Sequence, residues 1–344
     1  MPGVKVSDGL NVVETAADGS FTLPGHAGER FIFITTPSGY KTYNRHYHKI
    51  EDKQASYDFG LMPYDGGLGK DGSHKYIHIA DTEIFNTKNH DEWVNNVRDY
   101  AANEHAAFII HTGDICYEKG LKEHIKLMNT ENMDCPVFYC IGNHDLVKGK
   151  YGEELFENIY GPVYYSFDAG RVHYIVTPMA GGDHAPGYTR EDVYLWLKND
   201  LAHVKPGTPI MVFNHDLLTY DDAFVFKGDN GGSINLNEHN LKAWVYGHWH
   251  INYMKKQGDV YSVSTATLDK GGIVYRLDPT TLEVTQVIHN DLKPFGATIN
   301  NATQTLWLGN TTDSTVTAID AKTGAVKGRL VLDDRKRTEE VRPL

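Results

Sequence analysis

The chain has 344 residues, 40% hydrophobic and 23% charged, which is ordinary for a globular protein of one large or several smaller domains. The formal net charge is −12, so the overall field does not attract nucleic acid or anionic membrane. No apolar run approaches the ~20 residues that span a bilayer, no signal peptide is visible, and the cysteines form no Cys-x-x-Cys pair. An anionic substrate would therefore need a local positive charge, which bound metal ions supply.

Residues 1–48 alternate short strand-like runs with turns. Examples are residues 3–6, 10–13 and 31–34, with Asp18-Gly19 and Pro24-Gly25 as turn signals. The pattern predicts a small β-sandwich, truncated at its start. The polar, glycine-rich stretch 49–72 that follows is interpreted as a linker.

From about residue 73 to 273, strands alternate with helical stretches. Residues 91–104 and 190–203 have helical periodicity, and Thr189 with Asp192 forms a capping-box signal for the second helix. The predicted strands are 76–80, 107–111, 137–141, 172–177, 210–214, 243–246 and 260–264. This alternation predicts an α/β layered fold.

Residues 274–344 follow a different pattern. Residues 277–284 are echoed by residues 319–326, and the aspartates Asp278 and Asp320 are 320 − 278 = 42 residues apart. Strand–Asp–turn–strand units at this period are typical of β-propeller blades, which close in sets of about 4–8. The segment is predicted to be a propeller-like β tail, and one hypothesis is a composite chain that joins two unrelated genes near residue 273.

Polar residues follow five of the predicted strands of the 73–273 region. Because ligands bind beyond the carboxyl ends of strands in α/β sheets, these side chains are expected to converge. Each one alone is explained by a turn or by a hydrogen-bonded histidine, but all five in this order favour a site for divalent cations. The residues are Asp81, Asp114, Asn143, His144, Asp145, His215, His248 and His250.

This order resembles the motif set of the calcineurin-like metallophosphoesterases, carried here by Asp81, Gly113-Asp114, Gly142-Asn143-His144-Asp145, His215 and Gly247-His248-Trp249-His250. The resemblance covers residues 73–273 and implies a four-layered α/β/β/α sandwich. It also implies hydrolysis of phosphate mono- or diesters at two metal ions (Mn, Fe or Zn), with a metal-bound hydroxide as nucleophile.

The resemblance also implies a role for each matching residue. The first metal would be bound by Asp81 and His250, and Asp114 would bridge both metals. The second metal would be bound by Asn143, His215 and His248. His144 would be the general acid or a transition-state stabiliser, and Asp145 would hold its tautomer.

Two positions depart from the family pattern. Glu83 stands where the family has a histidine, and it is open as a carboxylate ligand, a substrate-side group or a non-ligand. Tyr117 stands where the family has a second aspartate. Tyr117 resembles the iron-ligating tyrosine of the purple acid phosphatases, and the alternative is a packing residue.

The ends of the chain carry weaker resemblances. Residues 3–40 resemble the β-sandwich that precedes the catalytic domain in some bacterial metallophosphoesterases, and those relatives imply a periplasmic or secreted protein. Residues from about 274 resemble the start of a YVTN-type β-propeller protein. Two other functions therefore stay open: a degenerate esterase that binds metal without turnover, and a propeller-type binding or redox module.

Overall fold

A computed structural model describes most of the chain. The described residues are 1–43, 45–51, 56–84, 90–217, 224–265, 273–277, 284–289, 294–300, 302–310 and 315–331. Within these ranges, no helix has both the length and the apolarity to cross a membrane. Asp278 of the predicted repeat, the residues before Ile273 at the predicted junction, and residues 332–344 lie outside the described residues.

The N-terminal module is a small sandwich of short strands. One antiparallel sheet has the order β2-β1-β3-β5, and β4 pairs with β6. The strands are β1 (Lys5–Ser7), β2 (Val12–Glu14), β3 (Phe31–Ile34), β4 (Tyr40–Thr42), β5 (Tyr47–Lys49) and β6 (Leu61–Pro63).

The interpretation of residues 49–72 as a linker is wrong for their first part. Strand β6 lies within this stretch, and Tyr57, Phe59 and Leu61 pack on the buried core around Ile32 and Ile34. These three apolar residues alternate along the chain, so they present one face to the sheet. The glycine-rich residues 66–69 dominate the composition of this stretch, so the alternating apolar residues before them were not recognised as a strand pattern.

The first part of the α/β region is a parallel sheet of the order β7-β8-β9. Its strands are β7 (Tyr76–Ile79), β8 (Phe108–His111) and β9 (Val137–Tyr139). The helices of this part are α1 (Asp91–Glu104), α2 (Tyr117–Leu127), α3 (Thr130–Met133) and α4 (Glu154–Tyr160).

The second part is a six-stranded mixed sheet of the order β10-β11-β12-β15-β17-β16, in which β11, β12, β15 and β17 are parallel. Its strands are β10 (Tyr165–Ala169), β11 (Val172–Val176), β12 (Ile210–Phe213), β15 (Leu241–Tyr246), β16 (Tyr253–Gln257) and β17 (Val260–Ser264). A hairpin of β13 (Val225–Lys227) and β14 (Ser233–Asn235) is inserted, and helix α5 (Arg190–Ala202) begins at the predicted capping box of Thr189 and Asp192.

An aromatic layer joins the two sheets face to face. Phe138 of β9 stacks on Phe167 of β10 with ring centroids 3.8 Å apart, and Phe108 of β8 meets the rings of Phe167 and Tyr174, each at 4.9 Å. Such buried ring pairs remove a large apolar area from water and also prefer particular ring orientations. The layer fixes the two sheets against each other.

Helices cover the outer faces, because successive side chains of a strand point to opposite sides. On β8, His111 points away from the aromatic layer and its ring lies 5.0 Å from that of His124 in α2. On β10 and β11, Ser166 and His173 point away from the layer and bond Asp200 of α5. The predicted α/β/β/α layering is confirmed.

The C-terminal region is β-rich, as predicted. A hairpin of β18 (Ile273–Leu277) and β19 (Val284–His289) precedes an antiparallel sheet of β20 (Pro294–Asn300), β21 (Thr305–Asn310), β22 (Thr315–Asp320) and β23 (Val326–Val331). Four antiparallel strands are what one propeller blade contains. The origin of the segment stays a prediction.

A buried polar network ties the N-terminal module to the six-stranded sheet. The hydroxyls of Thr35 and Ser166 are 2.9 Å apart, and Ser166 donates to Asp200 at 2.8 Å. His173 lies between two carboxylates, 2.8 Å from Asp200 and 2.6 Å from Asp168. Burial opposes the imidazolium, but these carboxylates outweigh it and raise the pKa of His173 to about 9.

The raised pKa of His173 predicts a pH-dependent stability. Its stabilisation is fully present below the unfolded pKa of 6.5 and is lost as the pH rises through about 9. We expect His173 to contribute a fall of about 3 kcal/mol in the free energy of unfolding across this window, so the total fall should be smaller by this amount in His173→Gln than in wild type. Chemical denaturation at a series of pH values checks this, with exposed His239→Gln as the matched control. An equal pH slope in wild type and His173→Gln would contradict it.

Candidate metal centre

The predicted site residues lie together where strands of both sheets end. Asp81 follows β7, Asp114 follows β8, and Asn143 to Asp145 form a single 3-10 turn after β9. His215 follows β12, and His248 and His250 follow β15. The carboxyl edges of the two packed sheets thus gather all of these residues, as the strand-end pattern predicts.

Several of these residues have positive φ angles, which non-glycine residues adopt at a cost of about 1–3 kcal/mol each. The angles are 51° at Asp81, 44° at Glu83, 56° at Asp114, 58° at Tyr117, 64° at His248 and 54° at His250. Backbone strain of this kind concentrates at functional sites, where the surrounding structure holds it.

The acidic and histidine side chains form two groups that share Asp114. The first group contains Asp81, Asp114 and His250, and the second contains Asp114, His215 and His248. In each group, one candidate ligand atom per residue lies within 4.8 Å of the others. The closest approaches are 3.3 Å between His250 Nε2 and Asp81 Oδ1, and 3.1 Å between His215 Nε2 and Asp114 Oδ2.

Two buried atoms at this site fit metal coordination. Within the described residues, the buried Oδ1 of Asn143 has no hydrogen-bond partner, and the buried Nε2 of His215 faces Oδ2 of Asp114 at 3.1 Å without an aligned hydrogen bond. The other ring nitrogen of His215 donates to the carbonyl of Thr112 at 2.6 Å, so Nε2 is the atom that would offer a lone pair to a metal when the ring is neutral. Buried polar atoms without partners are rare, and a cation between these groups would satisfy both.

The electrostatics of the site show what a cation would relieve. Burial raises the pKa of Asp81 to about 7, and the charge of Asp114 adds to the effect. Burial opposes the charged form of His215, but its contact with Asp114 raises the pKa of His215 to about 9. Burial also opposes ionisation of Asp114, but His215 outweighs it and lowers the pKa of that carboxyl. Two buried carboxylates are thus held together chiefly by one imidazolium.

Glycines allow the loops of the site to touch. A Cβ at Gly142 would collide with the backbone nitrogen of Asp114, and a Cβ at Gly113 would come 2.7 Å from the Nδ1 atom of His215. Gly113 also has a φ of 96°, which favours glycine. Gly113 and Gly142 therefore allow the loops that carry them to come closer together than any residue with a Cβ atom would permit.

Asp145 does not hold the tautomer of His144, which corrects the expectation from the resemblance. Its carboxylate is fully buried and accepts hydrogen bonds from the backbone N–H groups of Asp114, Cys116 and Gly142, each at 2.9 Å. Burial and the charge of Asp114 raise its pKa to about 6. Because its oxygens face these donors, Asp145 connects the loops after β8 and β9.

His144 is paired with Asp183 instead. Its Nδ1 atom lies 2.8 Å from Oδ2 of Asp183, a residue 39 positions further along the chain. Sequence reasoning missed this partner because Gly181-Gly182-Asp183 reads as a turn and no strand end precedes it. The distance along the chain leaves no local signal for the contact.

Glu83 and Tyr117, the two departures from the family pattern, both border the site. Oε1 of Glu83 lies 3.8 Å from Nε2 of His250, beside the first group. Tyr117 opens helix α2, and its ring centroid lies 5.3 Å from that of His144. Their roles as ligands stay predictions.

A third group of possible ligands lies in the N-terminal module and has a turn explanation. The carboxylate of Asp8 accepts the backbone N–H groups of Leu10 and Asn11 at 3.0 and 2.7 Å. Both ring nitrogens of His26 lie near carbonyl oxygens, of Asp8 at 3.2 Å and of Ala27 at 3.0 Å. These contacts within the loop account for the arrangement of the group without a metal.

Replacement of Asp145 by Asn is predicted to destabilise the metal-free protein. An amide at this position turns an –NH₂ group toward backbone donors and removes the charge that strengthens the bonds. We expect the free energy of unfolding to drop by about 2–4 kcal/mol, measured by chemical denaturation. Asp259→Asn, in the exposed turn between β16 and β17, is the charge-matched control. A loss below about 0.5 kcal/mol in Asp145→Asn would contradict the role of Asp145.

Comparison with curated proteins gives only partial matches. The chain is 69% identical over 105 residues to the uncharacterized protein YncE of Escherichia coli K12, which covers 30% of each protein. It is 86% identical over 77 residues to YncE of Salmonella typhi, which covers 22% of each. The chain thus spans less than a third of these relatives.

Three of the similar solved structures have sequences that are 13–16% identical to this chain. GAP50, titled the anchor in the inner membrane complex of Plasmodium, covers 75% of this chain and 88% of its own, with a TM-score of 0.41. The phosphopantetheinyl hydrolase of Mycobacterium tuberculosis covers 57% and 91%, with a TM-score of 0.38. An archaeal phosphodiesterase covers 62% and 98%, with a TM-score of 0.29.

Family models match most of the chain. The model described as the N terminal of calcineurin-like phosphoesterase matches residues 1–64. The model of the calcineurin-like phosphoesterase itself matches residues 74–252, which is more than half of the chain and contains the metal-site residues described above. The chain therefore belongs to the calcineurin-like phosphoesterase family.

Proposed function

We propose that this chain hydrolyses phosphate esters at a dinuclear metal centre. Asp81 and His250 would hold the first metal, and Asn143, His215 and His248 would hold the second. Asp114 would contribute to both. The division of the chain into an N-terminal module, a catalytic domain and an additional β tail from about residue 274 is part of the same proposal.

One observation carries the proposal: Asp114 is the member common to both ligand groups. A carboxylate has two oxygens and can therefore serve two cations at once. His215 is a member of the second ligand group, and the buried oxygen of Asn143 has no hydrogen-bond partner among the described residues. A cation held by both residues would satisfy that oxygen. The ligand set of nitrogen and carboxylate oxygen suits Mn, Fe or Zn.

When bound, two divalent cations neutralise the phosphate and acidify a water enough to supply a hydroxide nucleophile near neutral pH. The residues of the chain provide the remaining functions. His144 lies beside the ligands, because its backbone N–H donates to Oδ1 of Asp114 at 3.0 Å. Its ring is 35% exposed and so accessible to a substrate. We assign it the stabilisation or protonation of the leaving oxygen.

A binding protein without turnover is the second candidate. Glu83 favours it, because a carboxylate replaces the family's histidine beside the first metal. The intact second group and the position of His144 favour the enzyme. The two candidates differ in turnover, which the experiments below measure.

The proposal predicts the metal stoichiometry. We expect isothermal titration of the metal-free protein with Mn²⁺ or Zn²⁺ to give two ions per wild-type chain. Asp114→Asn, which weakens both groups, should bind neither ion tightly. His26→Gln removes a member of the third group and should leave the stoichiometry unchanged. A single ion in wild type, or an effect of His26→Gln on the count, would contradict the assignment.

The proposal also predicts metal-dependent hydrolysis. We expect protein loaded with Mn²⁺, Zn²⁺ or iron to hydrolyse 4-nitrophenyl phosphate or bis(4-nitrophenyl) phosphate. In Asp114→Asn the rate should fall by about 10²-fold or more, because the position serves both metals. Asp259→Asn should retain the wild-type rate. Folded wild type that binds both ions but hydrolyses neither ester supports the binding protein instead.

A further inference from the structure

We infer that Asp183 is the positioning residue of His144, so that the working pair of this site is built from two distant loops. The inference rests on the proposed function, because it assigns His144 a role in protonating the leaving group. The observation behind it is the 2.8 Å contact between Nδ1 of His144 and Oδ2 of Asp183.

The neighbouring carboxylates do not take this place. Asp145 is next in sequence, but its oxygens are used by three backbone N–H groups. Asp114 accepts the backbone N–H of His144 at 3.0 Å, which holds the main chain but not the ring. Among the described residues, Asp183 is the carboxylate that hydrogen-bonds the imidazole.

The loop that carries Asp183 is fixed against the turn that carries His144. The backbone N–H of Asp183 donates to the carbonyl of Asn143 at 3.0 Å. A Cβ at Gly182 would lie 2.7 Å from Cα of Asn143, so the two backbones are in direct contact. The position before Asp183 therefore requires a glycine, and the carboxylate is presented on a defined backbone although its side chain is 38% exposed.

The C-terminal side of the same loop is anchored as well. Gly152 donates its backbone N–H to the carbonyl of Ala185 at 2.8 Å. Further along, the N–H of Gly187 donates to both oxygens of Glu153 at 3.1 and 2.9 Å. Glu153 is fully buried and paired with Arg30 of the N-terminal module at 2.9 Å. The loop is thus held independently of the metals.

This contact selects the atom of His144 that meets the substrate. With Nδ1 bonded to Asp183, the remaining nitrogen, Nε2, is the one available to a leaving group. In the step, hydroxide forms the new bond to phosphorus, and the bond to the leaving oxygen breaks with its electron pair on that oxygen. The Nε2 proton of the imidazolium passes to this oxygen, and the neutral ring keeps its Nδ1 proton on Asp183.

The decisive experiment compares two leaving groups. Nitrophenolate leaves without a proton, whereas phenolate is a poorer leaving group that needs one. In Asp183→Ala we expect kcat for phenyl phosphate to fall about 10–100-fold with KM little changed, and kcat for 4-nitrophenyl phosphate to fall less than about threefold. The matching methyl diesters are used if wild type hydrolyses diesters only. Asp259→Asn is the charge-matched control and should follow wild type on both esters.

A spectroscopic readout tests the contact without turnover. In metal-free, ¹⁵N-labelled protein with neutral His144, we expect long-range ¹H–¹⁵N spectra to show the proton on Nδ1 in wild type. Asp183→Ala should shift it to Nε2, the tautomer that free histidine prefers. Asp183→Asn keeps the shape and an oxygen acceptor, so it should retain the Nδ1 proton and lose less activity than Asp183→Ala.

The outcomes distinguish failure of the proposed function from failure of the role assigned to Asp183. If wild type hydrolyses neither ester, the proposed function fails and this inference fails with it. If wild type is active but Asp183→Ala loses the same factor on both esters, loses nothing, or changes KM alone, only the inference is overturned. An unchanged tautomer in folded Asp183→Ala overturns it as well.

Discussion

The arrangement of the site depends on one buried carboxylate, that of Asp145. Asp145 accepts backbone N–H groups from the loops after β8 and β9, each at 2.9 Å. Those loops carry Asp114 and Asn143, so their separation is set by this carboxylate rather than by the ligands themselves. An amide or an apolar residue would leave buried donors unsatisfied. The structure therefore prepares the ligand positions before any cation arrives.

Such preparation is needed because the ligands repel one another. Asp81 and Asp114 are both buried, and burial raises the pKa of Asp81 to about 7. Positive φ angles at these residues add backbone strain. The surrounding fold holds this strained arrangement through the aromatic layer between the sheets and through the glycines that allow the loops to touch. A cation then converts mutual repulsion into coordination, which couples metal binding to stability.

Sequence patterns predict the fold and the residues of the site, because both depend on signals between residues that are close together in the chain. A strand end followed by Gly-Asp or Gly-Asn-His-Asp is read within a few positions, and so is the capping box at Thr189 and Asp192. The orientation of His144 was not predictable in this way. Its partner, Asp183, belongs to a loop between β11 and α5, and only the packing of two sheets brings that loop near. The sequence also suggests that Asp145 bonds the ring of its neighbour His144. In the structure, the oxygens of Asp145 accept backbone N–H groups instead, and these contacts are not visible in the sequence.

The N-terminal module contributes to the site through its packing. Arg30 of this module pairs with the buried carboxylates of Glu153 and Glu157 at 2.9 and 3.1 Å, and its guanidinium lies over the ring of Tyr151 at 4.6 Å.

Glu153 in turn accepts the backbone N–H of Gly187, on the C-terminal side of the loop that presents Asp183. A buried carboxylate without its partner charge is costly, so loss of Arg30 would disturb Glu153 and with it this loop. The N-terminal module is therefore part of the framework that aligns His144. The ion pair of Arg30 and Glu153 holds the module on the catalytic region and also supports the loop that carries Asp183.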